Sequence, residues 1–110
     1  MKCDVLMERV MKAVNLHLSD SNYTVEALAN DVGLSRAQLH RKMKEMTGIS
    51  VGEFVRNIRL EQATKLLKEQ KINVTQVAYT VGFSSVAHFS TVFRKQFGIS
   101  PSEYAKKGEE

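Results

Sequence analysis

The chain is dominated by an internal repeat, because residues 24–54 and residues 73–104 follow one pattern of apolar, small and polar positions. Each copy contains the triplet Gly-Ile-Ser, and the second copy carries one extra residue near Ser84 and Ser85. A chain of 110 residues has room for one domain, or for two very small ones that share an element. The repeat therefore predicts two related subdomains and excludes multidomain machinery.

Each copy of the repeat is typical of a helix-turn-helix, in which a short helix, a glycine-containing turn and a second helix follow one another. The second helix is predicted at residues 36–46 in the first copy and at residues 85–96 in the second. Gly33 suits the first turn because a Cβ resists the positive φ that the turn needs. One copy alone fits an ordinary corner between bundled helices equally well, but two tandem copies favour DNA binding through the second helices.

The periodicity of the chain is helical, because apolar residues recur three and four positions apart and no segment alternates long enough for a strand. Ser35, Ser50 and Ser100 each stand three positions before Gln or Glu, which is the capping box that begins a helix. Glycines follow the periodic segments at positions 33, 48, 82 and 98, where helices commonly end. These signals predict an all-α fold of about seven helices, at residues 3–18, 25–31, 36–46, 51–69, 74–80, 85–96 and 101–107.

The helix predicted at residues 51–69 has two apolar faces, one early and one late along its length. We expect its first half to pack into the first repeat unit and its second half into the second unit. Arg59, on this helix, favours a structural role over a DNA contact. The predicted organisation is a first helix-turn-helix subdomain at 1–50, a connector helix at 51–69, a second subdomain at 70–107 and a tail at 108–110.

Three segments carry a family resemblance: ALANDVGLSRAQLHRKMKEMTGIS, the connector run FVRNIRLEQATKLL, and VAYTVGFSSVAHFSTVFRKQFGISPSEY. They resemble the DNA-binding domain of the AraC/XylS family of bacterial transcription regulators, over nearly all of residues 3–105. The resemblance implies sequence-specific binding of double-stranded DNA, with two recognition helices in successive major grooves. The chain is also similar to the C-terminal output domain of hybrid two-component regulators in gut Bacteroidetes. Since such proteins carry sensing and phosphorelay domains upstream, we expect this chain to be an excised domain.

The DNA-facing residues of the first recognition helix follow from its periodicity, because Leu39 and Met43 form the core stripe and the opposite face is exposed. Bases are read mainly by the N-terminal part of such a helix. Arg41 is the strongest candidate, as arginine pairs with two acceptors of guanine, while a glutamine can pair with adenine and an alanine can contact a thymine methyl. Glu45 is expected on a solvated face, and Lys42 is left open between a solvated position and one near the phosphates. The candidates are Arg36, Ala37, Gln38, His40 and Arg41, with Lys44 nearer the phosphates.

The second recognition helix is predicted to hold DNA more than to read it. Its core stripe is Phe89, Phe93 and Phe97, and its exposed face is short of strong base readers. Family members often have Arg or Lys where this chain has Thr91, which puts a guanine contact there in doubt. Val86, Ala87 and Thr91 suit thymine methyls or DNA shape, and Arg94 and Lys95 suit phosphates. The candidates on the exposed face are Val86, Ala87, His88, Ser90, Thr91, Arg94 and Lys95.

The charge of the chain is informative by position rather than as a total. Sixteen Lys and Arg against twelve Asp and Glu give a formal charge of +4. The two predicted recognition helices hold six of the basic residues and one acidic residue, so the remainder of the chain is slightly acidic. The basic excess therefore lies on the two predicted recognition helices, and the rest of the chain is nearly neutral. Clustered basic residues are typical of a DNA-binding protein.

Catalysis, metal binding and a bound cofactor are not expected. The three histidines are scattered, Cys3 has no partner for a disulfide or a thiolate site, and no phosphate-binding loop occurs. His17 is expected to be a surface residue or a partner of the C-terminal dipole of the first helix. No apolar run is long enough for a membrane span, so a cytoplasmic location is expected.

A second function class stays open, in which the exposed helix faces dock a protein partner such as RNA polymerase. DNA binding and docking can coexist in one domain. Salt distinguishes them, because a phosphate-based interaction weakens steeply as salt rises. The isolated domain is expected to bind double-stranded DNA as a monomer, and a dimeric full-length protein is left open.

Overall fold

All regular structure is helical in a computed structural model of the chain, which describes residues 3–107, with side chains from residue 5 onward. The prediction of an all-α fold with seven helices is confirmed for this part of the chain. The tail predicted at 108–110 and the Cys3 side chain lie outside the described residues. The helices are α1 (Cys3–Leu16), α2 (Val25–Asp31), α3 (Arg36–Thr47), α4 (Val51–Glu69), α5 (Val74–Thr80), α6 (Val86–Phe97) and α7 (Pro101–Lys107).

Four predicted helix bounds, in three helices, differ from the structure by one or two residues. The first helix ends at Leu16 rather than at residue 18, because the amide of Leu18 turns back to the carbonyl of Asn15 in a tighter turn. The sixth helix begins at Val86 because Ser85 is its N-cap, with an extended backbone and a hydroxyl that accepts from the His88 amide. Both α3 and α6 extend one residue further than predicted.

The chain forms two compact units. The first contains the described residues up to Leu18 together with Asn22–Ile58, and the second contains Ser19–Ser21 together with the chain from Arg59 onward. The first half of α4 therefore belongs to the first unit and the second half to the second. The short segment Ser19–Ser21, which lies between α1 and α2 in sequence, belongs to the second unit.

The core of the first unit combines side chains from α1, α2, α3 and the first half of α4. Burial of apolar surface provides the main stabilisation of such a unit. Its buried residues are Leu6, Val10, Val14, Leu28, Ala29, Val32, Leu39, Met43, Val51 and Ile58. In the second unit the buried apolar residues are Leu60, Ala63, Leu67, Val77, Ala78, Val81, Phe83, Phe89, Phe93 and Pro101.

The prediction that Phe97 belongs to the core stripe of α6 is wrong. Its side chain is 38% exposed, whereas Phe89 and Phe93 are fully buried. Phe97 is the last residue of α6, and the chain leaves the helix at Gly98. Its ring therefore touches Phe93 and Tyr104, at centroid distances of 4.6 and 6.1 Å, and keeps part of its surface in solvent.

Side-chain caps begin most of the helices. The hydroxyls of Ser50 and Ser100 accept hydrogen bonds from the amides of Glu53 and Glu103, at 3.1 and 3.2 Å, as the capping signals predict. A further box at Asn73 begins α5, where the sequence analysis identified none. No helix among residues 3–107 is long and apolar enough to cross a membrane.

Candidate nucleic-acid interface

The two helix-turn-helix turns have the same backbone hydrogen bonding. In the first turn, the amides of Val32, Gly33 and Leu34 bond back to carbonyls of α2 at 3.1, 3.2 and 2.9 Å, respectively. In the second turn, the three amides from Val81 to Phe83 bond back to carbonyls of α5, each at 3.0 Å. The central glycines have φ values of 77° and 92°, so the left-handed conformation predicted for the first turn is confirmed.

The first recognition helix, α3, is fixed at its start by a complete capping box. The Ser35 hydroxyl accepts from the Gln38 amide at 3.1 Å, and the Gln38 side-chain carbonyl accepts from the Ser35 amide at 2.9 Å. Leu39 and Met43 are fully buried on its inner face. The box and the two buried residues determine which face of α3 is left for solvent.

The solvent face of α3 contains the residues that the sequence analysis nominated for DNA contact. His40 is half-buried, and the others are exposed. The exposed residues are Arg36, Ala37, Gln38, Arg41 and Lys44. Four of the twelve residues of α3 are basic and one is acidic, so this face is cationic.

The Gln38 side chain takes part in the capping box that the sequence predicts, and this limits its predicted role in base reading. Its side-chain carbonyl is already a hydrogen-bond acceptor in the cap. A two-point contact with adenine uses both the carbonyl and the amino group of a glutamine. The predicted adenine contact therefore requires the carbonyl to use its second lone pair or to leave the cap.

The second recognition helix, α6, packs on a row of aromatic rings. The rings of Phe83 and Phe89 lie 5.2 Å apart between centroids, and those of Phe89 and Phe93 lie 5.6 Å apart. These tilted contacts add to the stabilisation that burial provides. They leave the opposite side of α6 to solvent, where Val86 and Ser90 are half-buried and the other nominated residues are exposed: Ala87, His88, Thr91, Arg94 and Lys95.

Two of the polar residues on α6 make local contacts. The Thr91 hydroxyl donates to the Ala87 carbonyl at 3.0 Å, so its donor is used within the helix. The His88 ring lies 5.8 Å from the ring of Phe83. Both contacts are in keeping with a helix face that offers shape and methyl groups more than free polar groups.

The first turns of the described helices differ in charge. An acidic residue lies in the first turn of α2, α4 and α7, where it complements the positive end of the helix dipole. The first turns of α3, α5 and α6 have none, and α3 begins with the cation Arg36 instead. The start of α3 therefore combines the positive end of the helix dipole with the charge of Arg36, and no acidic side chain in its first turn offsets them.

Arg59 does not contribute to this surface. It is 8% exposed, and its guanidinium donates hydrogen bonds to backbone carbonyls of the second unit. The structural role expected for Arg59 is confirmed. Among the residues whose side chains are described, no group of three or more His, Cys, Asp or Glu is placed to hold a metal ion.

Comparison with known proteins decides the family. A model of the helix-turn-helix domain matches residues 28–107, which include both turns and both recognition helices. The chain belongs to the AraC/XylS family. The recognition made from its repeated motifs is thereby confirmed.

Three proteins similar to this AraC/XylS chain extend the comparison. Over 105 residues the chain is 36% identical to histidine kinase P4 of Formosa agariphila, covering 96% of the chain and 8% of that protein. The C-terminal domain of AraT, a response regulator from Geobacillus stearothermophilus, aligns with a TM-score of 0.83 and 31% identity over 93% of the chain and 84% of that structure. The DNA-binding domain of the global transcriptional factor AdpA, solved with a target DNA, aligns with a TM-score of 0.83 and 32% identity, covering 93% and 90%.

These similarities establish the biochemical class of this AraC/XylS domain. It is a sequence-specific DNA-binding domain. The chain spans 8% of the first curated relative and 30% and 28% of two further regulators that it matches.

Proposed function

We propose that α3 and α6 enter successive major grooves on one side of the duplex, and that α3 supplies most of the base recognition. The observation that carries this proposal is the exposed cationic face of α3, where Arg36 and Arg41 lie on a helix without an acidic first turn. The N-terminal part of a recognition helix approaches base edges most closely. Arg41 has the reach and the paired donors to bind guanine.

In this proposal α6 mainly anchors the domain. Arg94 and Lys95 lie exposed in its last turn and would neutralise phosphates. Ala87 and the Thr91 methyl group are suited to thymine methyls, because the Thr91 hydroxyl is bonded within the helix. His40, His88, Val86 and Ser90 would support these contacts at the edges of the two faces.

We further propose that this chain is the output domain of a longer two-component regulator. Its similarity to a histidine kinase and to a response regulator's C-terminal domain supports this role. The domain would contribute binding rather than catalysis, and it would act in the bacterial cytoplasm, where the chromosome lies. We propose that one isolated domain binds one duplex.

Docking of RNA polymerase is a second candidate activity. Exposed surface remains on helices other than α3 and α6, for example at Tyr79 on α5. Binding to DNA and contact with polymerase would use different faces, so the two proposals are compatible. The two activities can be measured separately. DNA binding is measured with promoter-free duplexes, and docking is measured with purified polymerase.

The experiment for the main proposal is selection of bound sequences from random duplexes, followed by hydroxyl-radical footprinting. We expect two protected grooves about 34 Å apart on one side of the duplex, with one domain bound. We also expect log K to fall by about 0.9 for each phosphate neutralised on a log salt scale. A single protected groove, or affinity that does not depend on salt, would contradict the proposal.

A further inference from the structure

Arg59 is the buried charged side chain of the second unit, and none of the other charged side chains among the described residues is buried. It lies in the second half of α4. Placing a guanidinium away from water has a desolvation cost that hydrogen bonds must offset. The hydrogen bonds of the guanidinium therefore decide whether this buried position is stable.

The acceptors of Arg59 are backbone carbonyls, and two of them lie in the helix-turn-helix turn that precedes α6. One terminal nitrogen donates to Gly82 at 2.6 Å and to Val81 at 3.3 Å. The other donates to the Asp20 carbonyl at 3.2 Å. Burial lowers the pKa of Arg59, and the nearby charge of Asp20 partly opposes that shift.

These bonds act on the turn as a whole. A guanidinium is planar, and its donors have fixed relative directions, so it restricts the orientation of the carbonyls that it binds. Val81 and Gly82 come immediately before Phe83, and Ser85 then caps α6. The path from the Arg59 contact to the first residue of the recognition helix is therefore only a few residues long.

The two turns differ in their surroundings. Gly33, in the first turn, is exposed, whereas Gly82, in the second, is buried. Both turns have the same bonds to their preceding helix, so those bonds cannot explain the difference. The second turn has in addition a charged side chain from α4 bound to its carbonyls.

We propose that Arg59 is a positioning residue for DNA recognition, which sets the orientation of α6 by holding the Val81 and Gly82 carbonyls. This inference rests on the proposed function, because it assumes that α6 contacts its own half of the DNA site. It predicts that loss of Arg59 weakens the contact of the second half-site and leaves the first half-site bound normally.

The test is a cycle on the selected DNA site with wild type, Arg59→Met and Arg59→Lys. Each protein is titrated with the full site, with the α3 half scrambled and with the α6 half scrambled, at a temperature where circular dichroism shows it folded. We expect Arg59→Met to bind the full site about tenfold more weakly than wild type does. Scrambling the α6 half of the site should reduce the affinity of this variant only a little further. Scrambling the α3 half should cost the variant as much as wild type.

Arg56→Met provides the matched control, since Arg56 is exposed on the same helix. Scrambling either half of the site should reduce the affinity of Arg56→Met as much as it reduces that of wild type. If Arg59→Met does not fold, Arg59→Lys gives the same cycle with a smaller effect, and amide NMR shifts of the free variant should change in the turn and in α6 but not in α3. Equal losses at both halves, or none, would overturn the positioning role while leaving the proposed function intact. A wild type without site preference would overturn both.

Discussion

His17 and Tyr23 stack ring on ring, with centroids 4.3 Å apart and planes inclined by 14°. Both contact the same carboxylate of α2: the Tyr23 hydroxyl donates to Asp31 at 2.5 Å, and the nearer His17 nitrogen lies 3.5 Å from the same oxygen. The segment between α1 and α2 is thus fixed by a small polar cluster in the first unit. His17 has specific partners, beyond the surface position or helix-dipole role expected for it.

This cluster predicts a loss of stability at alkaline pH. Burial raises the pKa of Tyr23 above its ordinary value, and the hydrogen bond to Asp31 and its negative charge raise it further. The unfolded chain therefore loses the tyrosine proton at a lower pH than the folded chain, and stability falls as pH rises above about 10. In urea unfolding, the stability of Tyr23→Phe should decline less than that of wild type between about pH 9 and about pH 11. Tyr79→Phe, at an exposed site, should retain the wild-type slope; equal slopes for both variants would contradict the role of the cluster.

The aromatic row of α6 predicts two different stability losses from one kind of substitution. Phe93 is fully buried, so Phe93→Ala should lower the free energy of unfolding by about 3–5 kcal/mol. Phe97→Ala should cost less, about 1–2 kcal/mol, because part of its ring is already in water. Urea unfolding of both variants measures the difference. Equal losses would mean that Phe97 is buried in solution as deeply as Phe93.

Much of the fold was predictable because its signals are local. Capping residues, left-handed glycines and apolar spacing act within a few residues, and they identified seven helices. The error at Phe97 shows the limit of periodicity, which places a residue on a face without saying whether another element covers it. The missed box at Asn73 had a readable signal, since Gln76 stands three residues later. Recognising asparagine as a cap would have found it.

The contacts that were not predictable join residues far apart in sequence. Tyr23 and Asp31 meet only because the loop after α1 folds against the end of α2. Arg59 could be assigned a structural role from its helix position, but its acceptors 22 and 23 residues away could not be identified. The DNA-facing residues are intermediate: their exposure follows from local periodicity, and their contacts with bases remain predictions.

Replacing Arg41 should alter which base the domain prefers at one position, rather than its affinity for DNA in general. Arg41 is exposed on α3, one position beyond the half-buried His40. Arg41→Ala should cost about 1–3 kcal/mol on the selected site and relax the preference at one base pair. Repeating the selection with the variant measures this directly. Arg56→Ala removes a charge from an exposed position of α4 and should retain the wild-type base preference; an unaltered preference for Arg41→Ala would reject the contact.

The substitution Gln38→Glu should have opposite effects on stability and on DNA binding. Glutamate can replace glutamine in the capping box, and its negative charge complements the positive end of α3, so Gln38→Glu should raise stability by about 0.3–1 kcal/mol. The same charge lies on the proposed DNA face and removes the side-chain donor, so affinity for the selected site should fall by about tenfold or more. Thermal unfolding and fluorescence titration of one preparation measure both quantities.

Gln76→Glu is the control that separates position from net charge. Gln76 occupies the same place in the capping box of α5, where its side chain accepts from the Asn73 amide at 3.0 Å. The control therefore introduces the same charge at the same position of a helix cap, and it should raise stability by a similar amount. Because α5 is not proposed to read bases, Gln76→Glu should weaken binding only through the general loss of positive charge. If both variants bound DNA equally weakly, net charge alone would explain the loss, and Gln38 would have to be removed from the base-reading face.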